Sequence, residues 1–192
     1  MGCVIKAAGR AERFGRNKLL EPLEGKEILS HVLDAVPRER FGRLVAVVSK
    51  PQVAELCMSR GITALLYEGG PVSETIRLGV GAMEDMDGCM FVMGDQPLCS
   101  RKSMERMLDS FQDEPDCIVR LSHNGSPGSP VIFPRRLFSK LSALSGERGG
   151  MSAAKGEEDF IRLVEVQDAA ELWDVDTEQA LAEMEDYLRC RQ

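Results

Sequence analysis

Gly2-Cys3-Val4-Ile5-Lys6-Ala7-Ala8-Gly9-Arg10-Ala11-Glu12-Arg13-Phe14-Gly15-Arg16-Asn17-Lys18 is the stretch from which the rest of the chain can be read. The apolar run Cys3 to Ile5 reads as a strand, and a loop with glycines and a succession of cations follows it. Such a loop can hold a polyphosphate through backbone N–H groups, because glycine lets the chain approach and side-chain charge offsets the phosphates. Residues 6–18 carry Lys6, Arg10, Arg13, Arg16 and Lys18 against the single acid Glu12, on a chain whose formal net charge is −7. A local cluster of that sign on an acidic protein favours a small anionic ligand and argues against nucleic acid, which the acidic surface would repel. The spacing matches neither the P-loop nor the dinucleotide fingerprint, so these residues alone also allow a solvated basic loop.

Outward from this stretch, apolar runs alternate with helical patterns, the signature of an α/β domain with a mostly parallel sheet. The expected strands are 2–6, 43–49, 63–67, 88–93, 117–121, 129–133 and 160–166. Ile28, Leu29, Val32, Leu33 and Val36 repeat at helical spacing, and so do Met104, Met107, Leu108 and Phe111 behind an N-cap at Ser100. A last helix is expected to start near Asp176-Thr177 and to bury Leu181, Met184 and Leu188. Glycine and proline gather in loops at 69–71, 94–97, 125–130 and 146–150. In an open α/β sheet the ligand crevice lies beyond the carboxyl ends of the strands, so loops 7–18, 69–75 and 94–98 are expected to share one edge.

At 192 residues the chain has the length of one domain with a substantial core. Its 43% apolar and 29% charged content is ordinary for a globular protein, and no apolar run approaches the roughly 20 residues of a membrane span. The first apolar stretch is too short for a signal peptide and is cut off by Lys6. The six cysteines, Cys3, Cys57, Cys89, Cys99, Cys117 and Cys190, form no C-x-x-C pair and read as free thiols, so a cytoplasmic location is expected. Cys99 is the thiol nearest the 94–98 loop.

The second chemistry-bearing segment is Phe91-Val92-Met93-Gly94-Asp95-Gln96-Pro97-Leu98, an apolar strand that stops at a glycine and presents one carboxylate. An acid fixed opposite a phosphate-binding loop is where Mg2+ bridging carboxylate and phosphate would be held, although Gly-Asp before Pro is also ordinary turn chemistry.

Taken together, Ala-Ala-Gly-x-x-x-Arg-x-Gly-x-x-Lys after the first strand and Gly-Asp-Gln-Pro after a central one resemble the nucleotidyltransferases of the molybdenum cofactor. The resemblance is greatest to the molybdenum cofactor cytidylyltransferases and related accessory proteins of molybdenum hydroxylases. Thr75-Ile76-Arg77-Leu78-Gly79, Gly128-Ser129-Pro130-Val131-Ile132-Phe133, Leu144-Ser145-Gly146-Glu147-Arg148-Gly149 and Asp174-Val175-Asp176-Thr177 continue the pattern in family order to about residue 185.

The resemblance implies a single Rossmann-like domain with helices on both sheet faces, which binds CTP and Mg2+ and transfers CMP to the terminal phosphate of a molybdopterin-type substrate, releasing pyrophosphate. It puts Ala7, Ala8, Gly9, Arg10, Thr75, Arg77, Gly79 and Gly94 at the nucleotide. It gives Arg13 and Lys18 to the triphosphate, Asp95 to the metal, and Asp174 and Asp176 to the metal or second substrate, with helix capping as the other reading of Asp176. The Ala-Ala-Gly form goes with cytidine and Ala-Gly-Gly with guanosine, so Ala8 carries the choice of CTP. Two residues depart from the pattern: Lys6 stands where Leu is usual, and Ala11 where Ser or Gly is usual. The chemistry asks for no histidine, and His31 and His123 show no partner pattern. Segment 122–130 reads as a loop lining the second pocket, or as a passive surface loop, and Ser145–Gly156 as a loop able to close over an anion. Two other functions fit the same residues. One is cytidylyl transfer to another small phosphorylated metabolite; the other is non-catalytic delivery of the cofactor to an apo molybdenum hydroxylase.

Overall fold

A computed structural model describes residues 1–9, 14, 17–67 and 69–191. Strands β1 (Gly2–Ala7), β4 (Arg43–Val48), β5 (Thr63–Leu66), β6 (Gly88–Met93), β7 (Ile118–His123), β8 (Ser126–Pro134) and β9 (Ile161–Glu165) make one seven-stranded sheet of order β5-β4-β1-β6-β8-β7-β9. A two-stranded ribbon pairs β2 (Pro22–Leu23) with β3 (Lys26–Glu27). The central strands are apolar because both of their faces are covered. Val4, Ile5, Ala46, Val47, Met90, Val92 and Ile132 are almost fully buried, which a period-2 pattern with one wet face would not allow. Neighbours pair in parallel except at β8, which runs against both β6 and β7.

One face of the sheet is covered by α1 (Ile28–Ala35), α2 (Pro51–Ser59) and α4 (Arg101–Asp113), whose Leu29, Val32, Val53, Cys57, Met104 and Met107 enter one core with Ile5 and Val92. On the other face, α3 (Val72–Gly81) and α5 (Phe138–Ser142) bring Ile76, Val80, Phe138 and Leu141 against Val4, Phe91 and Phe133. The last helix, α6 (Glu178–Arg189), makes a third, smaller core in which Val175 and Met184 pack with Phe14, Leu23 and Ile28. Among the described residues, no helix is long and apolar enough to cross a membrane.

The expected strands are present with small shifts at their ends, and Ser100 caps α4 by accepting from the Ser103 N–H at 3.1 Å. Three expectations are corrected. Residues 72–75 belong to the first turn of α3 and not to a loop. Segment 122–130 is the β7–β8 hairpin, turned at Asn124-Gly125, whose φ angles of 50° and 75° suit the two-residue loop that matches strand twist. Within 145–156, residues Gly150–Ala154 form a 3-10 turn with Ala153 and Ala154 buried, and the Gly146 carbonyl accepts from Ser73 N–H at 3.2 Å, so the segment is docked on α3.

Of the six cysteines, Cys3, Cys57, Cys89, Cys99 and Cys117 are buried free thiols and Cys190 is exposed. Burial pushes Cys99 far above the ordinary thiol range, which leaves it a packing residue.

Candidate active site

Lys18 opens a short 3-10 turn, Lys18–Leu20, capped by Asn17, whose side-chain oxygen accepts from the Leu19 N–H at 3.3 Å. Leu19 is buried in the main core, so the turn is pinned and Lys18 is aimed back at the sheet edge. Asp95 arrives from the other side, just beyond β6. The preceding Gly94 is a close-approach glycine: its N–H donates to the Lys6 carbonyl at 2.9 Å, and a Cβ there would stand 3.0 Å from that oxygen and 3.3 Å from Leu29 Cδ1. The third arm is the segment before α6. Val175 donates its N–H to the Asp95 carbonyl at 2.9 Å and buries its side chain in the α6 core, which leaves the flanking Asp174 and Asp176 at the same edge. Thr177 and not Asp176 caps α6, accepting from Ala180 N–H at 3.1 Å.

These arms converge on one ammonium. Lys18 Nζ donates to Asp95 Oδ2 at 2.7 Å and to Asp176 Oδ1 at 2.8 Å. The Lys18 and Asp95 side chains are 8% and 17% exposed, while that of Asp176 is 54% exposed, so the first pair is sheltered and the second sits at the rim. Burial alone would lower the Lys18 pKa, but the charge of Asp95 and the hydrogen bonds to both carboxylates outweigh it and raise it, keeping the ammonium charged. Two of its three protons are engaged, and the third is available to a ligand. Asp174, although exposed as a residue, has its carboxyl crowded by protein atoms. That crowding and the charge of Asp95 push its pKa up to about 6.

A cavity of about 490 Å³ opens over this trio, a volume suited to a small-molecule ligand. Ala8 and Gly9 form one wall. A Cβ at Gly9 would meet nothing within 4 Å, so its missing side chain leaves space to the cavity. Thr75 lines the same cavity from α3, its hydroxyl donating to the Val72 carbonyl at 2.8 Å. Asp174 is not among the residues lining the cavity, and four other residues named by sequence lie elsewhere. Ala7 turns into the main core, and Arg77 is exposed and paired with Glu74. Gly79 lets α3 settle on β1, where a Cβ would meet Val4 Cγ1 at 2.7 Å, and Gly94 serves the close approach described above. Arg10 and Arg13 fall outside the described residues. Tyr67, Glu147, Asn17 and Met93 also line the cavity without having been singled out for it. Tyr67 is held by its hydroxyl bond to the Gly70 carbonyl at 3.1 Å, and Glu147 accepts from the Val72 N–H at 3.4 Å. A Gly-Gly stretch before a helix is the one signal that pointed to the Tyr67 wall.

A model of the MobA-like NTP transferase domain matches residues 3–163. The chain belongs to this family. Among curated relatives, the MobA-like chain is 31% identical over 140 residues to the bifunctional protein GlmU of Rhizorhabdus wittichii, covering 70% of this chain but 31% of GlmU. It is 26% identical over 188 residues to the purine catabolism protein PucB of Bacillus subtilis, covering 91% of this chain and 90% of PucB. Among solved structures, Rv0371c from Mycobacterium tuberculosis H37Rv shares the fold with a TM-score of 0.82 at 22% identity, over 97% of this chain and 98% of that one. A CMP:2-keto-3-deoxy-manno-octonic acid synthetase complexed with CTP gives a TM-score of 0.78 at 17% identity, over 99% and 98%. The chain is thus an α/β protein of the nucleotidyltransferase class.

The residues present fit a divalent cation. Asp95 Oδ1 is buried without a hydrogen-bond partner, while its sister oxygen is held by Lys18. Among the described residues no group of three or more His, Cys, Asp or Glu side chains forms a metal cage. An ion held by one or two carboxylates and completed by substrate phosphates, the habit of Mg2+, asks for no such cage.

Proposed function

We propose that the protein is a Mg2+-dependent CTP:molybdenum cofactor cytidylyltransferase. The observation that carries this reading is the sheltered Lys18–Asp95 contact, with Asp176 on the same ammonium, facing a cavity walled by Ala8 and Gly9. A fixed cation beside a carboxylate with a free oxygen suits a bound nucleoside triphosphate, and the Ala8 methyl, which narrows the space beside the base, supports a pyrimidine. The CTP complex of a protein of like fold supports the same choice.

An oxygen of the acceptor phosphate, already anionic, attacks the α-phosphorus. A new P–O bond forms, the bond from that phosphorus to the β-bridging oxygen breaks, and pyrophosphate leaves with the electron pair. No proton has to move, so the protein's tasks are alignment and charge neutralisation. Lys18 keeps a donor toward the phosphates while Asp95 and Asp176 fix its position, and Asp95, with Asp176 or Asp174, would hold the metal. When bound, Mg2+ supplies Lewis-acid stabilisation of charge on the phosphate oxygens.

The test is pyrophosphate release from purified protein with CTP, Mg2+ and molybdopterin. Asp95→Ala and Lys18→Ala abolish it, and Ala8→Gly shifts the preference toward GTP. Binding of molybdopterin without turnover by the intact protein favours the carrier reading, and turnover with GTP above CTP in the unaltered protein overturns the role given to Ala8.

A further inference from the structure

Two cations on the sheet make no ion pair among the described residues and have no part in the reaction as derived. Lys6 lies in β1, a central strand whose other residues are small or apolar. It shares a sheet face with Val4 and points into the cavity; burial lowers its pKa, the nearby charge of Asp95 opposing this. Its side chain makes no hydrogen bond or ion pair among the described residues. Arg120 lies in β7 on that same face, because Ile118 enters the α3 core while Val119 and Leu121 enter the opposite one. Its Nε is buried without a partner, a terminal nitrogen donates to the Gly128 carbonyl at 3.3 Å, and no described carboxylate pairs with it.

The register brings the two toward one another. Lys6 pairs with Met93; two residues back, Phe91 pairs with Val131, which pairs with Arg120. The Arg120 side chain then reaches toward Gly128, at the edge of the sheet where Lys6 and Met93 stand. Three strand steps and a two-residue offset along the strands separate their backbones by about 16 Å, a gap two long side chains and an anion can span. A sheltered cation without a counter-ion is costly to the fold, and an apolar residue would pack both positions more favourably. Such groups are explained when a ligand supplies the missing charge.

We propose that Lys6 and Arg120 form the anion subsite for the acceptor, holding the phosphate monoester whose oxygen attacks, while Lys18 serves the triphosphate. This assignment rests on the transferase reading. It divides the cations of the site between two substrates and makes Lys6 and Arg120 specificity determinants for a phosphorylated acceptor over its unphosphorylated form.

The experiment measures KM for molybdopterin and for CTP in the unaltered protein, Lys6→Leu, Arg120→Met, Lys6→Arg and Arg120→Lys. Loss of a charge-assisted contact raises the molybdopterin KM about tenfold or more in the Leu and Met variants. The CTP KM stays put, and Lys6→Arg and Arg120→Lys recover part of the loss. A second arm follows phenyl phosphate binding by calorimetry with CMP present, with melting temperature as the folding control; if Arg120→Met does not fold, Lys6→Leu decides. An unchanged molybdopterin KM, or a CTP KM that rises equally, overturns the subsite while turnover in the unaltered protein keeps the transferase reading. Phenyl phosphate binding that depends on Lys6 and Arg120, in a protein that releases no pyrophosphate, upholds the subsite and overturns the transfer.

Discussion

Replacing Lys18 by Met keeps most of the aliphatic stem and removes the charge held 2.7 Å from Asp95 and 2.8 Å from Asp176. The two contacts are unequal. Asp176 is 54% exposed, so the share of its contact with Lys18 is about 1 kcal/mol at most. Asp95 is 17% exposed and has a second oxygen already without a partner, so removing Lys18 leaves a sheltered charge with no hydrogen-bonded counter-ion among the described residues, at a cost of about 3–5 kcal/mol. Against a total stability of roughly 5–15 kcal/mol this is a large fraction. For a chain of this length it lowers Tm by roughly 6–20 °C. Urea unfolding at pH 7, followed by far-UV circular dichroism, reads the loss as a lower midpoint with an unchanged slope. The double variant Lys18→Met with Asp95→Leu removes the stranded charge as well and returns to within about 1 kcal/mol of the unaltered protein, while staying inactive. A single variant that loses less than about 1 kcal/mol, or a double variant no more stable than the single, refutes the account of Lys18 as the counter-charge that shelters Asp95.

Gly79→Ala drives a Cβ to 2.7 Å from Val4 Cγ1 and loses about 1–2 kcal/mol despite the gain in helix propensity, and Val4→Ala in the same chain relieves it; calorimetric melting checks both. Thr177→Ala costs about 1 kcal/mol by removing the α6 cap, read as a lower urea midpoint. Glu157 accepts from Lys140 and Arg136, each at 2.5 Å, and these bonds hold its pKa below the usual 4.5. Its contribution is therefore full above pH 4.5 and is lost as pH falls through the lowered folded-state value. The stability gap between the unaltered protein and Glu157→Gln is widest at neutral pH and closes in acid, as urea midpoints across that range would record.

Buried strands were readable because a strand covered on both faces is a run of apolar residues, as Cys3 to Ile5 and Cys89 to Val92 are. The same fact hid the reversed direction of β8, since burial on both sides leaves the same pattern whichever way the strand runs. Helix α3 was hidden for the opposite reason: its first turn carries Ser73, Glu74 and Thr75, polar residues that read as loop until the sheet and the 144–149 segment are packed around them. In the site, Lys18 and Asp95 were legible from their placement behind β1 and β6, where topology alone sends strand ends to a shared crevice. Tyr67 and Glu147 were not, because Tyr67 is held by the Gly70 carbonyl and Glu147 by the first turn of α3, contacts that no local pattern encodes. Gly79 and Gly94 stand at close-packed contacts, with Val4 and with Lys6 and Leu29, a packing role that depends on the neighbour across the gap and that no local pattern encodes.

The link from Val175 to Asp95 sets a timetable for synthesis. Lys18 leaves the ribosome early, but its second carboxylate lies 158 positions later, and the segment bearing it is held by a backbone bond and by a core that includes α6. At elongation rates of about 5–20 residues per second that separation is on the order of ten seconds or more. Until the tail emerges, the nascent chain carries an incomplete charge trio, and the trio closes only after the segment before the final helix is in place.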